Sequence, residues 1–252
     1  MSTTIHHLQT LVGLGPRPIA SPANQAAAEY IRETFCAAGL EVEEQPYAAT
    51  AWEHRSTLLE RDGSRLDCTA NAFSLSCDVT APLVPAASLA ELEAAPAKDK
   101  ILLLYGDLTR APLAAKSWFL RDERDTCFFE LLEAKQPAAI LAPPTSTAYF
   151  GQLTEDWELN LPAATVPAHV ALHLLHEPHF PVHMVIDAQR TPATARNIVA
   201  CTPHMPERRL VLCAHFDTKI NTPGATDNAG GVAALLSLAE RLPRDQIGRA
   251  HV

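Results

Sequence analysis

The stretch RLVLCAHFDTKINTPGATDNAGGVAALLSLAERL, Arg209 to Leu242, constrains the chain more than any other. Leu210 to Ala214 is a short apolar run rich in strand formers, with charge before it and polar residues after it. It reads as a fully buried strand. The run ends in His215-Phe216-Asp217. Side chains alternate along extended backbone, so His215 and Asp217 leave on the same face. A loop containing Pro223 and Gly224 follows, then Asp227-Asn228, then an apolar helix from about Gly230. One imidazole and two carboxylates therefore gather where a buried strand ends and a helix begins, the rim at which open α/β sheets bind ligands.

Those residue types suit a metal. A neutral imidazole and an ionised carboxylate are both good zinc ligands, and a carboxylate has two oxygens with which to bridge two ions. An aspartate two residues after a ligand histidine can accept from its free ring N–H, fixing the tautomer and raising its basicity. The economical assignment makes His215 a ligand, Asp217 the group that orients it, and Asp227 a ligand or bridge. Taken alone, the H-x-D pattern is better read as a strand-end histidine, with Asp227 as a helix cap. The longer string changes that balance.

AHFDTK…PGATDNAGGVAALLSLAERL resembles the co-catalytic di-zinc aminopeptidase family (metallopeptidase clan MH, family twenty-eight), whose signature is a strand ending A-H-x-D, then P-G-A-x-D-N-A-x-G, then a helix of small and apolar residues. The resemblance implies a zinc ligand at His215, an orienting carboxylate at Asp217, a zinc-bridging carboxylate at Asp227, and a cis peptide between Asp227 and Asn228. It implies two zinc ions as cofactors and an exopeptidase of the aminopeptidase type, acting on peptide or protein N-termini. Within the family the alternatives are carboxypeptidase or glutaminyl-cyclase-like chemistry. Outside catalysis, the alternative is a degenerate homologue serving as a protein-binding module. Family members continue beyond this helix to a Glu-Glu pair, a further Asp and a late His, which supply the general base and the remaining metal ligands. None of these can be assigned here.

The rest of the chain sets bounds. Its 252 residues, 47% apolar, allow one large domain or two small ones. A net charge of −9 argues against nucleic acid or anionic membrane as the main partner, and no apolar run is long enough to span a bilayer. The start, MSTTIHHLQTLVGLGPRP, lacks the basic opening and long apolar core of a signal peptide. The six cysteines show no C-x-x-C spacing, and Cys213 is expected to be a small buried hydrophobe. A reducing, cytoplasmic setting is the resulting expectation.

Thr4 can cap a first helix with Ile5, Leu8, Leu11 and Val12 on one face. A second helix is marked by Ser21 as N-cap, Pro22 as first residue and Gly39 as terminator, with Ala27, Tyr30, Ile31, Phe35 and Ala38 as its buried stripe. Leu40 to Tyr47 alternates like a strand. This order also resembles, more weakly, the N-terminus of the same family. The neighbouring strand is expected at Ala195 to Cys201. The intervening residues are too many for a structureless loop, so an inserted domain is expected there.

Its texture is α/β. Arg55 to Leu66 carries a hairpin signal at Asp62-Gly63. Lys100 to Tyr105, Ala138 to Ala142 and Val182 to Asp187 read as strands, and Phe128 to Lys135 and Pro167 to His176 as helices. KDKILLLYGDL, AAILAPP and LPAATVPAHVALHLL resemble the protease-associated domain that these peptidases often carry, which implies shaping of substrate access. The Pro-rich segments Pro82 to Pro96 and Pro143-Pro144 read as loops or spacers. His169, His173, His176, His179 and His183 lie close together, but HLLHEPHF is not H-E-x-x-H, and solvated surface histidines are expected.

The expected fold class is thus α/β: an incomplete mixed-sheet zinc-exopeptidase domain in helix-sheet-helix layers (1–50 and 189–246), with an inserted smaller α/β domain (51–188). The closing IGRAHV, Ile247 to Val252, matches the translation of a widely used sequencing-library adaptor and is read as an adaptor-derived tail. With one His and one bridging Asp, the chain as written is expected to be inactive and prone to aggregate.

Overall fold

A computed structural model describes residues 3–116, 121–145, 151–202 and 210–241. The residues read as an adaptor-derived tail, 247–252, lie outside them. The chain divides into two compact units, one made of Met1–Ala51 with Thr191–Val252 and the other of Trp52–Arg190.

The helices are α1 (Thr3–Gly13), α2 (Pro22–Ala37), α3 (Leu89–Ala94), α4 (Glu123–Lys135), α5 (Ala168–His176) and α6 (Gly230–Arg241). The strands are β1 (Glu41–Arg61), β2 (Ser64–Arg65), β3 (Thr69–Ala70), β4 (Cys77–Ala86), β5 (Ile101–Leu104), β6 (Ala139–Ala142), β7 (Ala163–Thr165) and β8 (Pro181–Cys201). Among the described residues they form one mixed sheet in the order β2-β1-β8-β4-β5-β6-β7-β3. β1 and β8 are each 21 residues long and continue across the unit boundary. The expected separate strands Val182–Asp187 and Ala195–Cys201 are therefore two parts of β8.

In the unit Trp52–Arg190, β4 to β7 run parallel, while β8 and β3 close the two sides antiparallel. A strand covered on both faces needs apolar residues at consecutive positions. In β5, Ile101 to Leu104 are all fully buried. Leu102 and Leu104 face α3 and α4 through Leu92, Phe128, Phe129 and Leu132. Ile101 and Leu103 face α5 through Val170, Ala171 and Leu174. Each such side chain contributes roughly 1.5–3 kcal/mol. The hairpin at Asp62-Gly63 forms as expected, with both residues at positive φ and Arg61 opposite Ser64.

The segment expected to be a Pro-rich loop, Pro82 to Pro96, is a strand end followed by a helix. Ala81, Leu83, Val84 and Ala86 are buried, and that burial outweighs the prolines. Pro82 sits opposite Pro181 at the end of the β4–β8 pairing, where a missing N–H disturbs the ladder least. Ser88 then caps α3 by accepting from Glu91 N, while the Glu91 carboxylate reaches back to Ala87 N.

The other unit is built on α1, α2 and α6, which share a core of Leu11, Ala27, Ile31, Ala229, Val232 and Leu236. Ser21 caps α2 by accepting from Asn24 N, and Gly39 follows it with φ 79°. α1 differs in detail from expectation. Ile5 is exposed and His7 is buried instead, 2.6 Å from the Tyr30 hydroxyl through Nδ1 and 3.3 Å from the Glu240 carboxylate through Nε2.

Candidate metal centre

The expected buried strand Leu210–Ala214 is not a strand. Its residues pair with no ladder among the described residues, and Leu210 and Val211 are 86% and 80% exposed. Cys213, expected to be buried, is exposed as well. An apolar run specifies that a segment can be covered, but a ladder needs a partner strand that no local pattern supplies.

The alternation that matters for the site survives. Ala214 and Phe216 pack against the helical core, while the alternating His215 and Asp217 side chains are each about half exposed. Thr218 turns back in and is buried. Past Pro223, Gly224 takes the left-handed conformation with φ 55°, where a Cβ would collide with Thr218 and with the Asp227 carbonyl. Ala225–Ala229 then makes a single wide turn, and within it Asp227 and Asn228 have non-helical dihedrals. The peptide between Asp227 and Asn228 is cis, the isomer that the resemblance implies. Asn228 Oδ1 accepts from Gly231 N at 3.2 Å, capping the first turn of α6. This leaves the Asp227 side chain 84% exposed, just before the helix.

The loop brings the three predicted residues together. His215 Nε2 lies 2.9 Å from Asp227 Oδ1. On the other side of the ring, Nδ1 lies 3.4 Å from Asp217 Oδ1 and 3.3 Å from the Asp217 backbone oxygen. A ring N–H directed at Asp217 leaves the Nε2 lone pair facing Asp227. Two donors bound to one zinc at about 2.0–2.1 Å in tetrahedral array stand about 3.3 Å apart, so this nitrogen and oxygen fit as neighbours in one ligand set. They are a partial set: among the described residues, no group of three or more His, Cys, Asp or Glu side chains is gathered to hold an ion. The histidines His169, His173, His176 and His179 are exposed, and His183 pairs with carboxylates.

Reading the sequence missed Arg17. It is fully buried and donates to carbonyls of three separate segments. Its only local signal is an arginine framed by prolines in the loop after α1. Burial lowers the pKa of its guanidinium and the Asp217 charge opposes that shift, while burial raises the Tyr47 phenol and Asp217 adds to the effect.

The profile described as "Peptidase family M28" matches residues 197–250. The probable lipoprotein aminopeptidase LpqL of Mycobacterium tuberculosis is 26% identical over 238 residues, covering 90% of this chain and 45% of that protein. The chain spans about half the length of the curated relatives it matches. Among solved structures, the peptidase M28 precursor from Shewanella amazonensis superposes with a TM-score of 0.72 at 18% identity, covering 96% of this chain and 61% of that one. The zinc aminopeptidase BSAP from Bacillus subtilis does so with a TM-score of 0.70 at 20% identity, covering 95% and 58%. At these identities the superpositions establish the fold, and the profile match makes residues 197–250 similar to peptidase family M28.

Proposed function

We propose that this chain carries the first part of the active centre of a zinc-dependent aminopeptidase, one that hydrolyses the bond after the N-terminal residue of a peptide. The observation that carries the reading is the 2.9 Å approach of His215 Nε2 to Asp227 Oδ1, with Asp217 behind the ring. His215 and Asp227 would hold the metal, with Asp227 able to bridge to a second ion, and Asp217 would keep the imidazole in the ligating tautomer. Bound zinc supplies a Lewis acid for the scissile carbonyl and lowers the pKa of a water. The names of the relatives, aminopeptidases and a zinc aminopeptidase among them, support this choice of metal and reaction.

Two ligands are too few for zinc, which takes three protein ligands in catalytic sites and four in structural ones. The 252-residue chain by itself is therefore inactive in this reading. The unit Trp52–Arg190 is read as an inserted module of the protease-associated kind that shapes access to the centre. Its sequence is flanked on both sides by segments of the other unit.

The test is release of N-terminal amino acids from a peptide by the full-length parent protein. Zinc-dependent release, abolished by chelation and by His215→Ala, is expected. Asp217→Ala should weaken zinc binding by about 10- to 100-fold. Turnover that persists in the chelated protein or in H215A would overturn the proposal, and robust activity from the 252-residue chain would overturn its partial-site component.

A further inference from the structure

We infer that Arg17 is a positioning residue for the metal centre, holding the two loops that carry His215 and Asp227 at one fixed separation. The inference rests on the metal reading above, but its observations are independent of it. Arg17 Nε donates to Phe216 O at 3.0 Å, the carbonyl between His215 and Asp217. Its Nη1 lies within donating distance of Pro223 O at 2.9 Å, just before the Gly224 turn that leads to Asp227. The same nitrogen reaches Leu11 O at 2.7 Å and Gly15 O at 2.9 Å, so one guanidinium ties both site loops to the end of α1.

The backbone doubles the clamp. Arg17 N donates to Thr218 Oγ1 at 2.7 Å, and Thr218 N donates to Arg17 O at 3.0 Å. Thr218 is buried one residue past Asp217, and its methyl packs against Gly224, where a Cβ would not fit. The ion-pair partners His215 and Asp227 are both more than half exposed, so little covers them from outside. Their separation is set from beneath, by the Phe216 and Pro223 carbonyls.

Only arginine suits the position. The guanidinium presents five N–H groups in a rigid plane, whereas an ammonium has three on one rotating atom and cannot reproduce the separate Nε contact to Phe216 O and Nη1 contact to Pro223 O. The arrangement is demanding. The guanidinium is fully buried, its charge faces mainly backbone oxygens, and Nη2 has no hydrogen-bond partner among the described residues. A buried cation with an unsatisfied donor is a poor way to gain stability alone. What it supplies here is directional: two neighbouring loops held, through the Phe216 and Pro223 carbonyls, to one side chain that is remote from both in sequence.

The experiment is a Zn2+ titration of the 252-residue chain by NMR, followed on the His215 ring resonances and assigned by their loss in H215A. This readout tolerates weak binding and needs no turnover. Arg17→Lys keeps the charge and removes the fork, and Thr218→Val loosens the same clamp without touching the buried cation. Ile31→Ala opens a cavity in the same helical core at a residue that supplies none of the clamp's hydrogen bonds. R17K should weaken zinc binding by about 10- to 100-fold, the range seen when groups that orient metal ligands are removed. T218V should weaken it several-fold, and I31A should lower the melting temperature with the zinc Kd unchanged. If R17K and T218V bind zinc like the parent chain, or if I31A loses as much affinity as they do, Arg17 is a structural residue and the inference fails. If the unsubstituted chain shows no response of His215 to Zn2+, the metal-centre reading fails first and this inference with it.

Discussion

At the scale of single residues, the candidate centre depends on positions that carry no ligand atoms. Gly231 is one: a Cβ there would run into the Asn228 side-chain oxygen that caps α6. Gly231→Ala should therefore destabilise the protein by about 1–3 kcal/mol, the usual result of forcing atoms into a filled space. It should also move Asp227, which is joined to Asn228. Thermal unfolding measures the first effect; an unchanged melting temperature would mean that the cap can rearrange freely. The His215-Phe216-Asp217 alternation was legible in the sequence because period two is a local property. So was the P-G-A-T-D-N string, through its likeness to a known signature. Arg17 was not legible, since its acceptors at Phe216 and Pro223 are some two hundred residues away in sequence and are backbone atoms that no side-chain pattern announces.

At the scale of elements, the same division holds. α2 was readable from Ser21, Pro22 and Gly39, and β5 from four consecutive apolar residues, because caps and burial on both faces leave local marks. Leu210–Ala214 looked like β5 on paper but has no ladder, since pairing depends on what lies beside a segment. β4 was hidden by its prolines. Within the sheet, His183 of β8 lies between Asp78 of β4 at 2.9 Å and Glu60 of β1 at 3.6 Å. The hydrogen bond to Asp78 raises its pKa above the ordinary histidine value. A raised folded pKa means that the pairing stabilises fully below the unfolded value of about 6.5 and fades as pH rises through the folded value. Stability of the unsubstituted protein should therefore fall more between pH 5.5 and 8.5 than that of His183→Gln. The difference should be small and salt-sensitive, since the groups are at the surface. Identical pH profiles for the two proteins would remove the pair from the account.

At the scale of the whole molecule, two units with separate cores make separate demands. In the unit Trp52–Arg190, burial pushes the Cys68 thiol up to about 12 and the Cys77 thiol up to about 11. Cys36, Cys127 and Cys213 are exposed. Under native conditions at pH 8, a thiolate-directed reagent should label Cys36, Cys127 and Cys213 readily and Cys68 and Cys77 only as their unit opens. Mass spectrometry of the labelled peptides reads this directly, and fast labelling of Cys68 would mean that the core around α5 is not closed. The claim on which the functional account stands is that His215 and Asp227 share an ion. Diffraction from crystals of the protein soaked in Zn2+, recorded at the zinc edge, tests it most directly. The account predicts an anomalous peak within about 2.0–2.2 Å of both His215 Nε2 and an Asp227 carboxylate oxygen; a peak bound to only one of them, or placed among the exposed histidines of α5 instead, would contradict it.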